Sequence, residues 1–164
     1  MIQTFKAQFR DMPYVTLLEA QTQEFSIGAE GVKAVFMGTT SAAYLAKVAK
    51  KHIGYAIVKF DQFEGEGKGA GTIWLNSIGT HREFLKLDVS RKLVDKVALE
   101  AHNHASYFPS MKIVLPSYVI EDKDDPWNVE EWLWKLGFKA VGTKPDAISR
   151  YNQLFEAYTF EKVL

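Results

Sequence analysis

The chain has 164 residues with 47% apolar and 24% charged side chains, the size and balance of one soluble domain that can bury its own core. Twenty basic and twenty acidic residues cancel, so no net field draws nucleic acid or an anionic membrane surface. Cysteine is absent, which excludes disulfides, a thiol nucleophile and a thiolate zinc site; with no secretory leader and no apolar run near the ~20 residues of a membrane span, a cytoplasmic protein is expected.

Phe5, Ala7 and Phe9 alternate with Lys6, Gln8 and Arg10, the period of a half-buried strand. Asp11 stands where it would cap a helix that takes Pro13 in its first turn and runs to about Thr22. A second helix is expected over 29–37, with Val32, Val35 and Phe36 on one face and Gly38 at its end. Residues 43–49 and 52–61, parted by Lys50 and Lys51, read as an antiparallel hairpin. The glycine-rich Glu64–Gly71 stretch lies between strands, and Gly67-Lys68 is followed by glycine. A phosphate loop needs a strand before it and a helix after it, so a hairpin tip is expected instead.

Thr72–Thr80 is the next strand. A long helix follows, with Val89, Leu93, Val94, Val97, Ala98 and Ala101 along its apolar stripe. Residues 112–120 read as a buried strand, although Pro116 removes a ladder donor. Val129, Trp132, Leu133 and Leu136 form the inward stripe of a helix capped by Gly137. Trp127 and Trp134 fall on its opposite face, which needs a cover: a second packing layer, a protein partner or a homodimer. A short strand over 138–142 and a longer one over 154–163 close the chain.

Three strings carry a family resemblance. Glu83-Phe-Leu-Lys-Leu-Asp-Val-Ser-Arg-Lys-Leu93 is similar to the acetyl-CoA loop of the GNAT N-acetyltransferases. Trp134-Lys-Leu-Gly-Phe-Lys-Ala-Val-Gly142 and Glu156-Ala-Tyr-Thr-Phe-Glu-Lys-Val-Leu164 resemble the same family's later helix end and closing strand. The resemblance implies one α/β domain over 1–164: a mixed seven-strand sheet flanked by about four helices, its fourth and fifth strands splayed into a V. Pro116 would then sit where no ladder bond is needed.

The implied chemistry moves an acetyl or other acyl group from acyl-CoA to a small-molecule or protein amine. Backbone groups of Ile78, Gly79 and Thr80 would pair with the pantetheine arm. Leu85, Lys86, Asp88, Val89, Ser90 and Arg91 would cradle the pyrophosphate at the helix start. The family's loop arginine falls on Leu85 and its two glycines on Asp88 and Ser90. A carboxylate about 5 Å from a phosphate at an effective dielectric near 20 repels it by roughly 3 kcal/mol. The tyrosine that often protonates the leaving thiolate is replaced by Leu133. Tyr118 is the substitute acid, and Glu121 and His81 are the candidate bases, each also explicable as a structural residue.

Rival readings are a catalytically inactive GNAT-fold binding or assembly protein that uses the Trp127/Trp134 face, and an enzyme with a non-CoA acyl donor. No metal is expected. His102 and His104 lie two apart and point to different helix faces, and Asp122, Asp124 and Asp125 lack the spacing of a calcium loop.

Overall fold

The computed structural model describes residues 1–62, 70–84, 86–104, 107–122 and 128–164. Leu85, Trp127 and residues 63–69 of the glycine-rich stretch lie outside these. Seven strands form one sheet in the order β1-β2-β3-β4-β5-β7-β6. The β4–β5 pair alone is parallel; every other neighbouring pair is antiparallel.

The first strand, β1 (Ile2–Lys6), is shorter than its alternation suggests, because Phe9–Asp11 winds into a 3-10 turn. Asp11 does not cap α1 (Met12–Thr22) with its side chain. Its carboxylate accepts from the Gln8 amide at 2.8 Å and fastens the turn instead. The second helix, α2 (Gly28–Met37), buries Val32 and ends at Gly38. The expected hairpin is β2 (Ser41–Val48) with β3 (Lys51–Asp61), and β4 (Thr72–Thr80) follows. The long helix α3 (Lys86–His102) buries Val89, Leu93, Val94, Val97 and Ala101, the stripe read from the sequence.

Helices on both faces give the sheet two cores. On one face α1 and α2 cover Ala43, Leu45, Tyr55 and Ile57. On the other, α3 and α5 (Val129–Lys135) cover Ile53, Val58, Ile73 and Met111. Leu133, Leu136 and Phe138 belong to this second core. Gly137, at φ +96, lets the chain reverse from α5 into β6 (Lys139–Arg150), a conformation in which an L side chain is strained.

Two elements depart from the sequence reading. The fifth strand, β5 (Ser110–Pro116), stops at the proline, and Ser117–Ile120 forms a single helical turn, α4, in place of strand. The short strand expected at 138–142 is in fact the 12-residue β6, paired with β7 (Gln153–Val163) in a long hairpin. Its tip is a two-residue turn, Tyr151-Asn152, with both φ values positive at 53° and 57°, the geometry that matches strand twist. No helix among the described residues is long and apolar enough to cross a membrane.

Candidate active site

The β4–β5 ladder is short. It pairs Thr72 with Ser110, Ile73 with Met111 and Trp74 with Lys112, then ends. Beyond it β5 stays with β7 as far as Pro116 opposite Ala157, while β4 stays with β3. The strands therefore part, and Pro116 has no β4 neighbour that would need its missing N–H. In β4, Ser77 opposes Ile57 and Leu75 opposes Val58, so Asn76 is an extra, bulged residue. A bulge bends its strand and re-aims the residues beside it.

The ladder geometry tells which β4 groups are open. In antiparallel pairs, alternate residues bond to the partner strand. The His81 N–H donates to the Ile53 carbonyl at 2.7 Å, so His81 and Gly79 turn their backbone towards β3. Ile78 and Thr80 turn theirs to the open edge. In agreement, the Ile78 carbonyl accepts a hydrogen bond from Gln23 Nε2 at 2.9 Å, a side chain from outside the sheet.

A cleft of about 760 Å³ fills the V. It runs from Asn76 and Ser77 at the bulge, past Ile78 and Thr80, to Arg82 and Lys86 at the start of α3. At that end the first four amides of the helix lack intrahelical partners and carry the positive end of the helix dipole. Lys86 Nζ lies 4.7 Å from the centre of the Trp132 ring on the opposite wall. Thr80 Oγ1 and Trp132 Nε1 are buried without a hydrogen-bond partner among the described residues.

The other end opens beside the loop joining α1 to α2. Glu19, fully buried, accepts from Ser26 Oγ at 2.6 Å and from the Ile27 amide, which ties this loop to α1. Phe25 of the loop meets Tyr151 of the β6–β7 tip at 5.3 Å, and Arg150 lies 4.6 Å over the Phe25 ring. Glu24 lines the cleft at this mouth.

A polar cluster stands in the floor. Tyr55 is fully buried, and its hydroxyl is 2.6 Å from Ser77 Oγ. Thr22 and Gln23 stand close to the Tyr55 hydroxyl and, with Ser77, favour its ionised form; burial nevertheless dominates and pushes its phenol pKa upward. Gly79 sits against this cluster with no room for a side chain: a Cβ there would run into Thr22 Oγ1 and come within 2.7 Å of Tyr55 Cε1. Gly79→Ala is therefore expected to lower stability by about 1–3 kcal/mol, the range for overpacking, measurable by denaturant unfolding.

The site residues read from the sequence are distributed as follows. Ile78, Thr80, His81 and Lys86 line the cleft, as does Gly79, although its backbone serves β3. Asp88 is exposed in the first turn of α3, and Val89 and Ser90 are buried beneath it. Ser90 Oγ lacks a partner among the described residues. Arg91 reaches away, to the Lys135 carbonyl at 3.5 Å. His81 is half-buried, and its Nδ1 accepts from the Glu83 amide at 3.3 Å. At about 3.3 Å per residue it stands roughly 13 Å along β4 from Ser77.

Tyr118 belongs to α4 and packs its ring on Phe155 at 4.8 Å and on Tyr151 at 6.0 Å. Burial raises its pKa, and the Glu24 carboxylate adds to the shift. Glu121 is exposed and accepts from the Tyr158 hydroxyl at 3.3 Å. Leu133, at the position of the family tyrosine, is completely buried. Sequence reasoning did not single out Ser77, Tyr55, Gln23 or Glu24, which the fold gathers from β3, β4 and the loop after α1; Arg82 is visible in the sequence only as one of several cations near the loop.

No family model matches the chain, and no curated protein matches it in sequence. Solved structures do match in three dimensions. Arabidopsis thaliana NAA60 in complex with acetyl-CoA superposes with a TM-score of 0.80 at 12% identity, covering 100% of this chain and 99% of that one. Arabidopsis thaliana Naa50 in complex with the bisubstrate analogue CoA-Ac-MVNAL gives 0.74 at 10% identity, over 99% of both chains. The Escherichia coli ribosomal-protein-S18-alanine N-acetyltransferase gives 0.73 at 11%, over 99% of this chain and 94% of that one. The fold is that of the GNAT N-acetyltransferases: one mixed seven-strand sheet with a parallel, splayed β4–β5 pair.

Proposed function

We propose that the protein is an acyl-CoA-dependent N-acyltransferase with its donor site in the β4–β5 cleft. The observation that carries this is the open edge of β4. Ile78 and Thr80 offer backbone groups to a ligand with strand-like amides, in a cleft that ends at the amides of α3 and the cations Arg82 and Lys86. The pantetheine arm of acetyl-CoA, or of another acyl-CoA, has such amides, and its pyrophosphate suits a helix N-terminus. Thr80 Oγ1 and Trp132 Nε1 are polar atoms left for a ligand to satisfy, since unpaired buried groups are costly. His81, placed at the phosphate end, serves the donor rather than the acceptor.

The acceptor amine enters at the opposite mouth. Glu24 supplies a carboxylate that attracts a cationic amine, while Phe25, Tyr118 and Tyr151 supply apolar surface beside it. That combination suits the amino terminus of a peptide or protein; the S18-alanine acetyltransferase is named for a protein acceptor. The setting proposed is cytoplasmic.

Thermal melting with acetyl-CoA tests the reading. Ligand at 100 times its dissociation constant stabilises by about 2.7 kcal/mol, about 5–11 °C for a chain of this size. No shift at millimolar acetyl-CoA overturns it. The second reading, a non-catalytic binding protein, would then gain, because Leu133 puts an apolar, fully buried side chain where the family places an acid, and Trp134 is 66% exposed.

A further inference from the structure

We propose that Ser77, positioned by Tyr55, is the proton donor to the departing thiolate. The inference rests on the acyl-CoA reading above and takes it further, to the residue that does the work of the missing tyrosine. With polyphosphate at α3 and pantetheine along Ile78 and Thr80, the thioester end of the donor comes to the bulge at Asn76–Ser77. Ser77 stands at the turn of the cleft towards the acceptor mouth.

The hydroxyls of the cleft wall can be eliminated one by one. Thr22 Oγ1 donates to the Leu18 carbonyl at 2.8 Å, so its proton is committed. Thr80 lies towards the phosphate end, three residues along β4 from Ser77. Tyr118 stands at the acceptor mouth, its ring packed on the hairpin and its phenol beside the Glu24 carboxylate, which disfavours loss of its proton. Ser77 lines the cleft and has Tyr55 behind it at 2.6 Å. Thr22 and Gln23 close around the Tyr55 hydroxyl. With the Tyr55 proton donated to Ser77 Oγ, the serine's own hydrogen is directed into the cleft.

The step balances without a further reactant. The amine leaves its ammonium proton to water at the mouth, the neutral nitrogen attacks the thioester carbonyl carbon, a C–N bond forms, and the C–S bond breaks with its electron pair on sulfur. Ser77 gives its hydroxyl proton to that sulfur and takes up the proton that the nitrogen sheds. Tyr55 keeps its own proton and stabilises the charge that builds on the serine oxygen. Ser77 is catalytic because it touches the reacting atoms; Tyr55 is a positioning residue.

A group that protonates a thiolate must also hydrogen-bond it, so the thiol of bound CoA reports the contact directly. The protein has no cysteine, so the ultraviolet absorbance of a thiolate, read as a difference against protein alone, belongs to CoA. In the wild-type complex the thiol is expected to ionise at lower pH than in free CoA. Ser77→Ala should raise its pKa by about one unit, tenfold in ionisation, the loss of one hydrogen bond to a charged group. Tyr55→Phe should raise it by less, and Ser77→Thr should restore the wild-type value. Melting temperature with and without CoA verifies that each variant folds and binds. If Ser77→Ala binds CoA and leaves the thiol pKa where wild type has it, the inference is overturned while the donor site stands. If wild-type protein does not bind CoA, the acyl-CoA reading falls, and this inference with it.

Discussion

Replacing Glu19 by alanine is expected to destabilise the protein by about 2–3 kcal/mol and to release the rim of the acceptor mouth. A fully buried carboxylate is held only by good partners, and Glu19 has Ser26 Oγ and the Ile27 amide. Hydrogen bonds to a charged group contribute about 1.5–3 kcal/mol each. The Ser26 and Ile27 donors are near the surface and would recover part of that from water. The carboxylate also lies beside the N-terminus of α2, where a negative charge is favourable, and Gly28, at φ +69, makes the turn into that helix. For a chain of this length the loss is about 4–12 °C in melting temperature. Proteolysis should at the same time cut within 23–27 faster than in wild type. A melting temperature within a degree of wild type would show that the Phe25 contacts alone hold the loop.

The same loop shows what the sequence can and cannot reveal. Local patterns located α1, α2, β2 to β4 and the α3 stripe: Pro13 and the run after it mark α1, and the others are amphipathic or apolar over their own length. It failed where burial was absent or interrupted. Nearly all of β6 is exposed, so no alternation marks it, and Pro145-Asp146 interrupts it. In the fold that pair sits in an irregular stretch, where Lys144 opposes Ala157 and Ile148 opposes Phe155. Pro116 was legible as a break in pairing, yet not as the start of the α4 turn, because a proline suits both. The strings at 83–93 and 134–142 pointed to the fold correctly. The Tyr55–Ser77 contact spans 22 residues and the Gln23–Ile78 contact 55. Both depend on the register of β3 with β4 and on where α1 ends, which no local pattern specifies. Tyr118 illustrates the converse: the residue was visible, and only the turn at 117–120 decided that it would face the hairpin.

Reversing the two cations of the cleft, Arg82→Glu with Lys86→Glu, is expected to weaken acetyl-CoA binding at least about a hundredfold. The sequence alone points to the opposite sign, since Asp88 occupies a position where the family keeps glycine. In the structure Asp88 is exposed in the first turn of α3 and is not among the described residues that line the cleft, whereas Arg82 and Lys86 are. A charge in contact with water interacts with a phosphate about 4 Å away by roughly 1 kcal/mol. Each reversal turns that attraction into an equal repulsion, so two reversals change binding by about 4 kcal/mol before screening. Screening at physiological salt acts over about 8 Å, and a loss near 3 kcal/mol remains, about two decades in affinity. Asp88→Asn, at an exposed residue outside the cleft lining, should strengthen binding only about threefold to fivefold. Calorimetric titration at low and high salt separates these cases, because the double reversal should lose much of its effect as salt rises. Should Asp88→Asn prove the larger of the two changes, the carboxylate and not the cation pair governs the phosphate end of the cleft.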